Sequence, residues 1–487
     1  MSLIGPAAGA WMLLALAVLV VSTGLPVWAL LCAVASTFAA LGVIGGQFDL
    51  NILSALPTRL VGLLEHDLLQ ALPLYVFIGV LLQRLSVADA LFSSLARLFR
   101  RSGAGASLAA LGVGALVAPM NGSVASSSAL LSRLVAPRLG GADPARATAL
   151  ISVSATIGVV VPPSLVLILL GDAMLNAHTE ASNLPGYILG TQRIINTQDL
   201  FHAALLPAAA VLALWALVAW WQGRGANNPA DAVAPRASEM ALALLAVAAI
   251  VLLLAGVFTG KIYAVEGAAT GGVLLIVSSL ASRALNRVQW SEVLGNTLAL
   301  SGALFALLVG ATSFSLVFRL FGTDRWFAAL VLGSTLAPQL TAALVLLLVA
   351  LCAWVLDAFE MIFVIIPVLA PPLIVHLGDA QQAAVLLLLV LQLSFLIPPM
   401  GYAVLMARSR SGLAQVSTSR IVKALLPFIL AQLVLTLIVF SAPSVVHLLD
   451  APAPAVTNEA PLPDLEIERQ MDPMASEPAA SAPGLSP

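Results

Sequence analysis

The chain is poor in the residues on which most protein chemistry depends. Of its 487 residues only 9% are charged, two are cysteine and five are histidine. Cys32 and Cys352 both lie inside apolar runs, so they supply neither a disulfide framework nor thiolate metal spacing. His66, His178, His202, His376 and His447 are scattered, and no pair has the spacing of metal ligands. There is no Walker A loop, HExxH helix or GxSxG elbow, so nothing in the sequence supports an ATPase, a zinc protease or a hydrolase. The apolar segment from Leu3 to Val21 has no basic stretch before it and reads as a retained helix, not a cleaved signal peptide. A formal net charge of −2 gives nucleic acid nothing to bind.

What fills the chain is apolar: 61% of residues are hydrophobic and the mean hydropathy is +1.05. A helix crosses a bilayer core with roughly 20 mostly apolar residues, and such runs recur almost throughout. They are far longer than barrel strands, and lipid tolerates no unpaired backbone. The expected class is therefore an all-α polytopic membrane protein. Its spans are expected near 3–21, 25–44, 71–85, 145–174, 200–221, 240–257, 262–281, 297–318, 382–407 and 421–446.

Two distant stretches are versions of one another. One runs from Asn121 to the Pro162-Pro163 of VVVPPSLVLIL, the other from Asp357 to the Pro398-Pro399 of FLIPPMGYAVL. The offset that carries Pro162 onto Pro398 also carries Asn121 onto Asp357 and Asp143 onto Asp379. A repeat interrupted at matched Gly and Pro positions is the best pointer in a membrane sequence to a transporter's substrate and ion site. Each copy also contains an apolar stretch broken in the middle, at 118–123 and at 355–360, leaving arms too short to cross; both read as re-entrant hairpins. Arg84, Arg97, Arg100 and Arg101 precede the first hairpin and Arg133, Arg138 and Arg146 follow it, which places its base in the cytoplasm. Counting spans onward brings the second hairpin in from the opposite face, with Arg319 and Arg325 a mild violation. The expected architecture is thus an inverted-topology repeat with two hairpins and two Pro-broken helices.

This divides the chain into scaffold helices at 1–70, a first transport repeat at 71–175 with its hairpin at about 107–139, and scaffold helices and loops at 176–296. A second, inverted repeat at 297–407 holds the hairpin at about 341–375, and a C-terminal helix follows at 408–447. Residues 448–487 form a Pro- and Ala-rich tail with Glu459, Asp464, Glu466, Glu468, Asp472 and Glu477 against Arg469. That composition predicts disorder.

Four elements can carry chemistry. Asn121-Gly122-Ser123, with Ser126, Ser127 and Ser128, gathers small polar groups at the first tip, where hydroxyls and irregular backbone carbonyls can replace the water around a cation. Ser152, Ser154, Thr156 and Gly158 lead to Pro162-Pro163, whose missing donors free carbonyls. Gln392, Ser394 and Pro398-Pro399 are their counterparts in the second copy. Asp357 and Glu360 stand one helical turn apart at the second tip, and intramembrane carboxylates are functional by default. The plainer readings are helix-packing hydroxyls, proline kinks, and a structural ion pair between a tip carboxylate and an arginine such as Arg319.

The stretch Ser154-Ala-Thr-Ile-Gly-Val-Val-Val-Pro-Pro-Ser-Leu-Val-Leu-Ile-Leu-Leu-Gly-Asp172 resembles the central motif of the large membrane subunit of TRAP transporters, the tripartite ATP-independent periplasmic family. The segments from Ala311 to Arg319, from Leu356 to Glu360 with Pro367, and from Leu391 to Tyr402 are similar to further motifs of that family. The likeness runs from about Gly24 to about Val439. It implies an elevator-type ion transporter in the bacterial inner membrane, importing a small organic anion, usually a carboxylate, with sodium as coupling ion and no other cofactor. Its implied partners are a small membrane subunit of about four helices on a separate chain, a periplasmic substrate-binding protein and membrane lipid. One sodium site falls on Asn121, Ser123, Ser154, Thr156 and Gly158, and a second on Asp357, Gln392, Ser394 and Pro398. The substrate is then expected between the tips, near Gly122, Ser126, Ser127, Pro162, Pro163, Ala358, Glu360 and Pro399. Ala358 departs from the family pattern, in which a bulky aromatic is common, and Val159-Val160-Val161 replaces a more polar approach to the prolines. Two other functions fit the same residues: an ion-coupled dicarboxylate-type symporter acting alone, and a non-transporting membrane scaffold or sensor.

Overall fold

Helices account for every regular element among the described residues of the computed structural model. Those residues are 5–65, 67–121, 123–139, 143–187, 196–224, 237–354, 356–397, 401–413 and 416–449. The acidic tail, Gly122 and Pro398 to Met400 lie outside them, as does the side chain of Asn121. The chain opens with α1 (Ala8–Thr23), α2 (Val27–Ile44) and the short α3 (Ala55–Leu64). Then come α4 (Asp67–Arg84) and, bent from it by 68°, the amphipathic α5 (Val87–Leu98). The first hairpin is α6 (Gly105–Asn121) and α7 (Val124–Leu139). A broken helix follows as α8 (Pro144–Val160) and α9 (Leu165–Ala181), bent by 44°.

Two lipid-length helices with largely exposed flanks, α11 (Ala237–Phe258) and α12 (Ala264–Ala281), come after α10 (Thr197–Gly223). The second half restates the first. The 34-residue α13 (Arg287–Leu320) leads into the short α14 (Thr323–Leu332). Next are α15 (Pro338–Cys352), one turn of α16 (Ala358–Glu360), a π-helical turn at Met361–Ile365, and α17 (Ile366–Leu377). The chain closes with α18 (Ala380–Ser394), α19 (Tyr402–Arg410) and α20 (Thr418–Ser441).

Helix starts show how far the duplication extends. The offset between the double prolines also relates Val87 of α5 to Thr323 of α14, and Pro144 of α8 to Ala380 of α18. The short helices ahead of each hairpin are therefore matched parts of the two copies. The start signal is the same in both copies: Asp143 accepts from the Arg146 amide at 3.1 Å, and Asp379 from the Gln382 amide at 3.0 Å. Each carboxylate satisfies one of the orphan donors at a helix N-terminus.

Among the described residues seven helices are long and apolar enough to cross a membrane, or nine if α4–α5 and α8–α9 each count as one bent span. Ten spans were expected, and two regions explain the difference. Helix α1 stops after 16 residues at Gly24, which is left-handed with φ 64°. The stretch 382–407 is split between 15 residues of α18 and nine of α19. The return arm Ala358–Leu377 is itself 20 residues and belongs to the seven.

The core lies at the broken helices. Every residue from Ala145 to Val160 and from Ala380 to Ser394 is buried. A helix covered on every side belongs in the middle of a bundle. Helix α8 is packed by α6, α7, α18, α19 and α20, and α18 by α10, α15 and α20. Outside this core, α2 packs along α13 and α4 along α12.

Candidate functional site at the helix breaks

The first break is dictated by proline. Pro162 and Pro163, joined by a cis bond, have no amide to continue the ladder of α8, so the helix ends at Val160. Ser164 restarts it by accepting from the Leu167 amide at 3.2 Å. The second tip is made by a different device. Asp357 accepts from the Ala358 amide at 2.8 Å, and Glu360 reaches back to accept from the Asp357 amide at 3.0 Å. This reciprocal capping box fixes both carboxylates at the start of one helical turn.

The two tips meet. Ser123, Val124 and Ser127 of the first hairpin, Ala155, Gly158 and Val159 of α8, and Asp357 and Ala358 of the second hairpin line one small cavity of about 10 Å³. That is room for about one water-sized species and not for an organic anion. The close approach needs a glycine: a Cβ on Gly158 would lie 2.5 Å from the Ala118 carbonyl oxygen of α6. Nearby, a Cβ on Gly114 would lie 2.6 Å from the Ser154 carbonyl oxygen, so α6 and α8 touch backbone to backbone at both levels.

The polar groups around this point are incompletely used. The Ser154 Oγ and Ser128 Oγ are buried without a hydrogen-bond partner, which costs free energy unless a ligand or water satisfies them. Thr156 and Ser394 turn their hydroxyls to their own helices, at Val153 O (2.9 Å) and Val390 O (2.7 Å). Ser126 accepts from Gln83 Nε2 of α4 at 2.6 Å. Among the described residues no basic side chain pairs with Asp357 or Glu360. Arg319, the partner considered from sequence, pairs instead with Glu180 of α9.

Gln392 joins the two halves. Its Nε2 donates to the Thr156 carbonyl at 3.3 Å, and Thr156 and Gln392 are themselves repeat mates, 236 residues apart. Equivalent positions that touch lie at the two-fold relating the copies. Gln432 of α20, absent from the sequence-derived set, donates to Gln392 Oε1 at 2.9 Å. The available signal was a lone amide inside an otherwise apolar span, since polar residues there bond across helices.

The structure therefore gathers Ser123, Ser127, Gly158, Asp357 and Ala358 around one cavity, with Ser154 and Thr156 on the same helix as Gly158. Asp357 shares that cavity with residues assigned from sequence to the other ion set. Gln392 faces Thr156, and Ser394 lies on α18 bonded to its own backbone. Pro162 and Pro163 form the break in α8–α9, while Gly122, Pro398 and Pro399 lie outside the described residues. A carboxylate and hydroxyls are hard oxygen donors, a type of group that suits a small cation.

Comparison with known proteins identifies the family. Residues 13–445 match the family model of the tripartite ATP-independent periplasmic transporter, DctM component. The chain is 22% identical over 406 residues to the sialic acid TRAP transporter permease protein SiaT of Haemophilus influenzae, covering 81% of this chain and 62% of that protein. It is 21% identical to the isethionate TRAP transporter permease protein DctMQ of Oleidesulfovibrio alaskensis, covering 77% and 57%. It is 22% identical to the 2,3-diketo-L-gulonate TRAP transporter large permease protein YiaN of Escherichia coli, covering 88% and 96%. The chain thus spans about three fifths of the first two relatives and nearly all of the third. Among solved structures, the YdaH transporter of Alcanivorax borkumensis has the same fold, with a TM-score of 0.60, 16% identity, and coverage of 90% of this chain and 98% of that one.

Proposed function

Because the chain belongs to the tripartite ATP-independent periplasmic (TRAP) transporter family, as its DctM component, we propose that it couples sodium movement to import of a small organic anion across the bacterial inner membrane. The observation that carries this reading is the cavity between the tips. Asp357 is held there beside Ser123, Ser127 and Gly158 with no basic partner among the described residues, in a space of one small ion. A partly buried carboxylate without a counter-charge is costly, and a bound cation removes that cost.

The organic anion takes a second place near the tips, in a conformation that opens the space between them. Sialic acid, isethionate and 2,3-diketo-L-gulonate, which name the relatives' substrates, differ in size but share one anionic head; a carboxylate is the class proposed here. The broken helices α8 and α18, packed together and tied by Gln392, are the body proposed to move, elevator fashion, against the scaffold around α2 and α13. A small membrane subunit and a periplasmic binding protein complete the transporter.

The test is thermal unfolding of the purified protein in sodium chloride against choline chloride at equal ionic strength. A ligand at 100 times its Kd stabilises the native state by about 2.7 kcal/mol. A sodium-specific rise that disappears in Asp357→Ala supports the site. Equal unfolding in both salts for the native protein, or full-rate uptake by this subunit alone, counts against sodium coupling and against the three-part assembly respectively.

A further inference from the structure

A second cavity lies where α9 and α13 end, and its volume of about 930 Å³ is within the range of small-molecule sites. Its walls come from the end of α9, from α13 and α14, and from Pro367 to Pro372 of α17. Four charged residues face it: Glu180, Arg319, Asp324 and Arg325. Glu180 and Arg319 form a partly buried ion pair, which fixes the Arg319 guanidinium against α9 and neutralises it. Asp324 Oδ1 is sealed from solvent without a hydrogen-bond partner. Arg325 is exposed, and no carboxylate among the described residues pairs with it.

The repeat accounts for the lack of a carboxylate partner for Arg325 among the described residues. Its mate in the first copy is Asp89 of α5, which holds Arg133 at 3.1 Å and Arg138 at 3.5 Å on the return arm of the first hairpin. In the second copy those two arginines are replaced at the same offset by Leu369 and Ile374, both buried. The short helix ahead of the first hairpin is therefore bound to it by charge. The matching helix ahead of the second hairpin leaves its charged group facing the cavity.

We propose that this cavity is a second anion site, separate from the tips, taking a small organic monoanion whose carboxylate or sulfonate binds Arg325. The wall's four charges sum to zero, so one added negative charge is accommodated where a polyanion is repelled by Glu180 and Asp324. Binding there does not depend on sodium coupling; the site's use as a waiting place on the substrate path rests on the transport reading above. An anionic lipid headgroup offers the same oxygen chemistry, so the source must be separated experimentally.

The test uses the full chain in neutral phosphatidylcholine nanodiscs, carrying Asp357→Ala to disable the tips, with sodium gluconate as probe against sodium chloride at equal ionic strength. Gluconate is expected to raise the unfolding temperature of this variant. Adding Arg325→Gln is expected to weaken the effect roughly tenfold in concentration, as loss of one charge-assisted contact does, and Arg325→Lys to restore part of it. Sodium citrate is expected to act more weakly than gluconate. Three results overturn the proposal: gluconate stabilising only the protein with intact Asp357, an effect unchanged by Arg325→Gln, or an Arg325 effect that appears only when phosphatidylglycerol is added in place of gluconate. The first leaves the tip site standing and removes only this one.

Discussion

The two hairpin tips occupy equivalent places in a duplicated unit and use opposite chemistry. Asn121, Gly122, Ser123, Ser126, Ser127 and Ser128 of the first tip correspond, at the repeat offset, to Asp357, Ala358, Phe359, Ile362, Phe363 and Val364. One tip is neutral and rich in hydroxyls, while the other is apolar apart from its carboxylates. Neither set alone makes a good cation site, since hydroxyls lack charge and a lone buried carboxylate lacks further ligands. Together, across a cavity of about 10 Å³, they supply both. On the proposed reading, duplication made the frame and divergence of the copies made the cation site.

That comparison breaks most visibly at Asp357. Asp357→Asn keeps the shape and removes the charge, so transport by the reconstituted system is expected to fall more than about 100-fold, as when a charge-assisted ligand is lost from a dry site. Ser123→Ala, on the other tip, is expected to cost only about tenfold in the same uptake assay. A reversed order would show that the carboxylate is not the charged ligand.

Packing at the breaks differs between copies in the same way. Gly158 has Ser394 as its mate; Ser394 is accommodated, but any Cβ at Gly158 meets the Ala118 carbonyl. Gly158→Ser, which makes the first copy like the second, is expected to destabilise by about 1–3 kcal/mol, and Ser394→Gly by about 1 kcal/mol or less. Chemical unfolding in detergent checks both.

The link between the copies is next in size. Gln432→Leu strands Gln392 Oε1, and Gln392→Leu removes both the donor to the Thr156 carbonyl and the acceptor of Gln432 Nε2, so each is expected to cost about 1–3 kcal/mol. Because they share one chain of hydrogen bonds, the double substitution is expected to cost less than the sum. Strict additivity would mean that the two glutamines act separately. The smallest effect belongs to Asp89→Asn. The groups in its ion pairs are 29–43% exposed, so stability is expected to change by less than about 1 kcal/mol, and by still less in high salt.

Much of this frame was legible in the chain. Pro162-Pro163 announced the break after α8, and the constant offset that relates the double prolines, and Asp143 to Asp379, tied the two copies together. Those are local signals, carried by backbone donors that are missing or satisfied within a few residues. The short α14 was less visible, because ten residues of mixed character after a long span give no hydropathy signature. Gln432 was missed for another reason: a single amide in an apolar helix has meaning only once its partner is known.

Composition and period alone determined that this is a helical membrane protein, duplicated and broken at matched places, because hydrophobic length and proline act without reference to the rest of the chain. Only the tertiary structure decided that Asp357 shares a cavity with Ser123 and Gly158, that Arg319 belongs to Glu180, and that Thr156 meets Gln392. Those pairings join residues far apart in the chain. They depend on how closely two helices approach, which is set by every side chain between them.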